Sequence, residues 1–297
     1  MKILIVIDNL GSGGAQIQKA RLANYDKLIS QDQNKVDEKL EIFIPNGPRL
    51  GANVIEAFKV SKSFGEKILY DNLNFNLPQA GIVGVIGPNG AGKSSLLKAA
   101  MGIIPTVSGQ VRFFGQRLKK TRHRISYVPQ RASVDWDFPA TVKDVVLMGL
   151  YPIMGYLQRV SLAHLDEVQS CLRKVGMQDF SDRQIGQLSG GQQQRVFLAR
   201  ALIQKADVYL LDEPLAGVDA ATEKAIISVL KDLKKSGKTI IVVHHDLSTV
   251  LEYFDHVLFI NKSPIAHGPA AEIFNEENLS VTYCGQLGAA RLGVAGI

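Results

Sequence analysis

Gly87-Pro88-Asn89-Gly90-Ala91-Gly92-Lys93-Ser94 fits the spacing G-x-x-x-x-G-K-S and stands between two segments of opposite habit. Before it runs the apolar stretch Ile82-Val83-Gly84-Val85-Ile86, and after it comes the helix-prone Ser95-Leu96-Leu97-Lys98-Ala99-Ala100. A strand therefore delivers the loop and a helix leaves it. Glycines let successive backbone N–H groups turn inward on phosphate oxygens, and the positive end of the departing helix adds to the attraction. In that arrangement Lys93 reaches the terminal phosphates and the Ser94 hydroxyl holds magnesium, which sets the chain among α/β phosphate-binding folds.

A second apolar run, Val208-Tyr209-Leu210-Leu211, ends in Asp212-Glu213 and reads as a buried parallel strand. Two adjacent carboxylates are costly there unless they face a cation or do chemistry. Asp212 suits magnesium, directly or through water, and Glu213, one residue past the strand, suits a general base on an attacking water. Asp219 fits better as the N-cap of a helix from Ala220 to Leu230. Leu188-Ser189-Gly190-Gly191-Gln192 opens an amphipathic helix through Val196, Ala199, Leu202 and Ile203, and its Ser and Gly amides make a second anion-binding helix start.

The 297 residues suffice for a full α/β core with an appended subdomain. Cys171 and Cys284 stand alone, which points away from a disulfide framework or a zinc site. His123, His164, His256 and His267 are scattered, while His244-His245 sit together at a strand end with rings expected on opposite faces. No metal beyond magnesium is expected. Met1 to Ile7 lacks the pattern of a secretory signal, and Val145 to Leu157 is too short to span a bilayer and is interrupted by Gly149 and Pro152. A soluble or peripheral protein is expected. A net charge of +6 accommodates a phosphate site and a nearby anionic membrane, and no basic helix interleaved with aromatics argues for nucleic acid.

These residues together resemble the ATP-binding subunits of ABC transporters. The resemblance implies a RecA-like P-loop NTPase core, an N-terminal antiparallel β region around Asn53 to Leu77, and a helical ABC subdomain around 135–187. It implies Mg-ATP bound by Gly87, Pro88, Asn89, Gly90, Ala91, Gly92, Lys93, Ser94 and Ser95, with Phe64 stacked on adenine. Gln130, in Tyr127-Val128-Pro129-Gln130, matches the glutamine that contacts magnesium and water, alongside Ser94 and Asp212. His245, directly before Asp246, matches the switch histidine at the γ-phosphate, and Asp219 in Gly217-Val218-Asp219 the loop that links two sites. Ser189, Gly190, Gly191 and Gln192 match the signature that closes over ATP held by a second copy, which implies a homodimer. Departures are small: Phe64 stands for a more frequent Tyr, and Gly217-Val218-Asp219 for Ala-Leu-Asp.

The chain resembles different sources along its length. Gln110 to about Leu292 is similar to the ATPase of a manganese, zinc or iron importer, most specifically in Tyr127 to Gly149 and Glu213 to Asp219. That implies integral-membrane permease partners, a separate substrate-binding protein, and a place on the cytoplasmic face of the membrane. Trp136 and Phe138 are candidate anchors for a permease, or equally candidates for burial within the subdomain. Lys19 to Leu97 resembles the linker and second P-loop of an ABC-F protein of the translational-throttle type, which leaves a ribosome-associated ATPase as the alternative. Met1 to Gln16 resembles the first strand and glycine loop of a glycosyltransferase, without the domain that activity needs. The patchwork implies a recombined chain, which in the alternative binds ATP only. The expected organisation is an atypical extension over 1–50, with a strand, a helix and a mobile link, an ABC ATPase domain over 51–271, and a tail over 272–297.

Overall fold

Continuous apolar runs become the central strands of a parallel sheet. The computed structural model describes residues 53–65, 67–152, 154 and 159–285. The strand, helix and link expected before residue 50 lie outside the described residues, which all fall within one unit, Leu50–Ile297. A hairpin opens it: β1, Asn53–Phe64, pairs antiparallel with β2, Lys67–Pro78, around Gly65 with φ 58°. β1 also pairs antiparallel with β4, Ser108–Phe113, which carries β5, Gln116–Arg117, so the antiparallel sheet runs β2-β1-β4-β5. The sequence led to its first two strands and not to its last two.

The second sheet starts with β3, Gly81–Ile86, and adds β6, Ile125–Val128; β7, Val208–Asp212; β8, Thr239–His244; β9, His256–Ile260; and β10, Pro264–Pro269. Their order is β10-β9-β3-β8-β7-β6, parallel except for β10. β3, β7 and β8 are buried along their whole length because both faces are covered. Alternation on β3 shows this: Val83 and Val85 point into the core shared with the antiparallel sheet, and Ile82 and Ile86 into the core shared with the helices. β3 hydrogen-bonds β8 on one side and β9 on the other, so the segment resembling one ancestry is integrated between strands resembling another.

α1, Lys93–Ala100, leaves β3 through the glycine loop and packs Leu96 and Leu97 into the core shared with the antiparallel sheet. Other helices fill the opposite layer. α2, Val142–Leu147, and α3, Leu162–Lys174, belong to the helical region, and α4, Gly190–Leu202, carries it onto the core. Each of these three begins with a reciprocal cap, Thr141 with Asp144, Ser161 with His164 and Ser189 with Gln192. α5, Ala220–Lys235, runs five residues beyond the expected Leu230. α6, Glu276–Thr282, buries Leu279 fully, so the packed core continues past residue 271, where a tail was expected. No helix among the described residues is long and apolar enough to cross a membrane.

Candidate ATP site

The site collects at the C-terminal ends of β3, β6 and β7, the edge where open parallel sheets bind ligands. Gly87 leaves β3 with no room for a side chain: a Cβ there would stand 2.0 Å from the Ile260 carbonyl oxygen. Gly92 caps α1 at φ 96°, a left-handed conformation that favours glycine. No side chain caps this helix, and its first internal bond runs from Leu96 N–H to Gly92 O at 2.8 Å. The amides of Lys93, Ser94 and Ser95 precede that bond and are left for a ligand. Asn89 to Ser95 line a cavity of about 160 Å³ whose other walls are Leu69 and Glu213.

Lys93 is buried and folds back, its Nζ donating to Gly87 O at 2.7 Å and Pro88 O at 3.0 Å. Burial lowers its pKa from the ordinary lysine value, opposed by the charges of Glu213 and Asp212. These carbonyl contacts hold the ammonium at the mouth of the loop. Asp212, fully buried, accepts from Ser94 Oγ at 2.7 Å through one oxygen and from Tyr127 OH at 3.4 Å through the other. Burial raises its pKa, and the Ser94 hydrogen bond opposes that rise. A buried carboxylate held only by hydroxyls is suited to a cation beside it.

Glu213 turns out of β7 at φ 52°, the left-handed region that a residue with a Cβ rarely occupies. The turn brings its carboxylate to the cavity wall, where Gln130 Nε2 donates to Oε2 at 2.9 Å. The expected metal-side residues thus fall into two bonded pairs, Ser94 with Asp212 and Gln130 with Glu213, which the chain joins where Asp212 precedes Glu213. Tyr127 and Leu69 were not singled out from sequence. The alternating pattern of β6 places Tyr127 on a sheet face, but contact with Asp212, 85 positions away, has no local signal.

Other expected residues stand apart from this cavity. Phe64 closes β1, half exposed, with Lys62 Nζ 4.5 Å from its ring centroid. His245 is exposed past the end of β8, while His244 is buried with Nε2 2.8 Å from Thr249 Oγ1 and a pKa pushed down to about 4, chiefly by burial. The two rings lie 5.9 Å apart at 34°, side by side rather than on opposite faces, because β8 ends at His244 and the pleat with it. Asp219 caps α5, accepting from Thr222 N and Thr222 Oγ1, both at 2.9 Å. Ser189, Gly190, Gly191 and Gln192 form the start of α4, and none of them lines the cavity. Trp136 and Phe138 divide the two roles weighed for them: Trp136 packs on Phe197 of α4 at 4.9 Å, and Phe138 stays exposed.

A family model described as "ABC transporter" matches residues 70–216. The manganese transport system ATP-binding protein MntB of Bacillus subtilis is 51% identical over 233 residues, 78% of this chain and 93% of that protein. The chain belongs to the ABC transporter family. It is the ATP-binding part of such a transporter, an ATPase coupled to transport. The zinc transport system ATP-binding protein TroB of Treponema pallidum is 51% identical over 236 residues, 80% of this chain and 89% of that one. A metal-chelate type ABC transporter, solved in an inward-facing conformation, shares the fold at a TM-score of 0.68, with 26% identity over 78% of this chain and 88% of its own. The match to MntB is longer than the segment from Gln110 to Leu292, so the likeness to transport ATPases extends beyond that segment. A ribosome-associated role is not favoured by these relatives.

Proposed function

We propose that this ABC ATPase powers the import of a divalent metal ion, manganese, zinc or iron, by ATP-driven pairing of two copies on the cytoplasmic face of a membrane. The observation that carries the ATPase chemistry is the single cavity joining the glycine loop to Glu213, with Gln130 on the carboxylate. The choice of cargo is supported by the manganese and zinc transport relatives. In this reading 51–271 forms the ATPase domain with its packed continuation through α6, and the helical subdomain about 135–187 presents Phe138 to a permease served by a separate substrate-binding protein.

Lys93 and the amides of Asn89 to Ser95 bind and orient the phosphates, and Phe64 stacks on adenine. Ser94, Asp212 and Gln130 would hold magnesium, which when bound neutralises phosphate charge. Glu213, steadied by Gln130, takes the proton of the attacking water. His245, with Ser189 and Gly191 of the second copy, stabilises the transferring phosphoryl group. Asp219 links the two sites while capping α5. Opening of the pair after hydrolysis returns the permease to its other state.

The test is Glu213→Gln. It is expected to bind ATP as the wild type does and to lose at least about a hundredfold in turnover. Hydrolysis at the wild-type rate would remove Glu213 from the role of base.

A further inference from the structure

Gln130 and the start of α4 serve different nucleotides in the proposed pair, yet the loop that follows Gln130 is fastened to α4. Arg131 Nε–H donates to Gln193 Oε1 at 3.0 Å. Its guanidinium also lies against Gly190, where a Cβ would stand 3.0 Å from Arg131 Cζ. Gln193 is buried and donates in turn to the Ile185 carbonyl at 3.3 Å, so the acceptor of Arg131 is itself held. Trp136 Nε1–H donates to the Arg131 carbonyl at 3.0 Å while its ring packs on Phe197 of α4. On the other side of Arg131, the hydroxyl and amide of Ser133 donate to the Gln130 carbonyl at 2.7 Å and 3.0 Å.

We infer that Arg131 is a positioning residue that ties Gln130 to the signature helix, so that the group steadying Glu213 and the helix start meeting the second copy's nucleotide shift as one body. The inference rests on the proposed roles of Gln130, Glu213 and Ser189. A planar guanidinium bonded at Nε and lying against Gly190 has little slack. A displacement of α4 is therefore passed to the residue adjoining Gln130. Closure of one copy's signature on its partner's nucleotide would in this way set the hydrogen bond at its own Glu213, which joins the two sites mechanically. Gly190 has a packing reason of its own: it leaves room for the guanidinium.

Arg131→Met keeps the apolar stem and removes the Nε donor. In the full chain it is expected to leave ATP binding and KM within about twofold and to lower kcat about tenfold, the effect of losing one charge-assisted hydrogen bond. Gln193→Met removes the acceptor and is expected to give the same split, and Arg131→Lys, lacking the fork, not to restore kcat. In a Glu213→Gln background, Arg131→Met is expected to raise the protein concentration needed for ATP-driven pairing about tenfold. An unchanged kcat in Arg131→Met, or a fall in nucleotide binding equal to the fall in kcat, would overturn the inference. Failure of the Glu213→Gln chain alone to pair would refute the pairing itself, a separate result from the kcat split.

Discussion

Two helices of this ATPase begin with glycine-rich sequence, and they begin differently. α1 starts at Gly92 without a side-chain cap, its leading amides on the wall of the cavity. α4 starts at Ser189 with a reciprocal cap: Gln192 Oε1 accepts from Ser189 N at 2.9 Å, and Ser189 Oγ accepts from Gln192 N at 3.4 Å. A helix start without a cap leaves its donors to a ligand; one that caps itself is stable before any ligand comes. In the proposed pair, α1 with Lys93 would receive nucleotide in a single copy, whereas α4 would meet nucleotide brought by another.

That contrast can be broken most strongly at α1. Lys93→Ala is expected to weaken nucleotide binding by about a hundredfold, since a cation with two backbone anchors at the phosphate loop is lost. Titration of a fluorescent ATP analogue checks this, and an affinity within threefold of wild type would contradict it. On α4 the expectation is opposite in kind. Ser189→Ala is expected to leave binding to the isolated copy within about twofold and to lower kcat by about tenfold or more, as loss of one phosphate-facing donor does. Steady-state kinetics beside the same titration separates the two effects.

A smaller effect is expected at the end of β8. His244 has its pKa depressed from 6.5 to about 4 by burial, so the folded state favours the neutral ring. Its contribution is fully present above pH 6.5 and is lost as pH falls toward 4, up to about 3 kcal/mol. Denaturant unfolding between pH 7.5 and pH 5 is expected to show a steeper loss of stability in the wild type than in His244→Gln. Equal slopes would mean that His244 takes up its proton as readily folded as unfolded.

Legibility followed distance along the chain. The glycine loop, the apolar strand before it and the helix after it could be read together because all their determinants lie within a few residues. The Asp219 cap and the start of α4 were local in the same sense. Glu213 was legible from the carboxylate pair that ends an apolar strand, and Gln130 through the family resemblance, but their hydrogen bond spans 83 positions and depends on β6 lying beside β7. β4 and β5 were missed because their largely exposed residues lack a clean alternation of buried and exposed positions, and they join the antiparallel sheet only through pairing of β4 with β1 and of β5 with β4. Trp136 could not be assigned to surface or core from sequence, since its burial depends on Phe197 across the helical subdomain. Likewise α6 looked like a tail because only Leu279 and Thr282 are buried along it, too few to show as a pattern in the sequence.

The central claim is that ATP held at α1 of one copy is completed by α4 of another. Light scattering of the Glu213→Gln chain, with and without Mg-ATP, tests it directly. A monomer's mass is expected without nucleotide and twice that mass with it. A chain that binds ATP and keeps the monomer's mass would contradict the account.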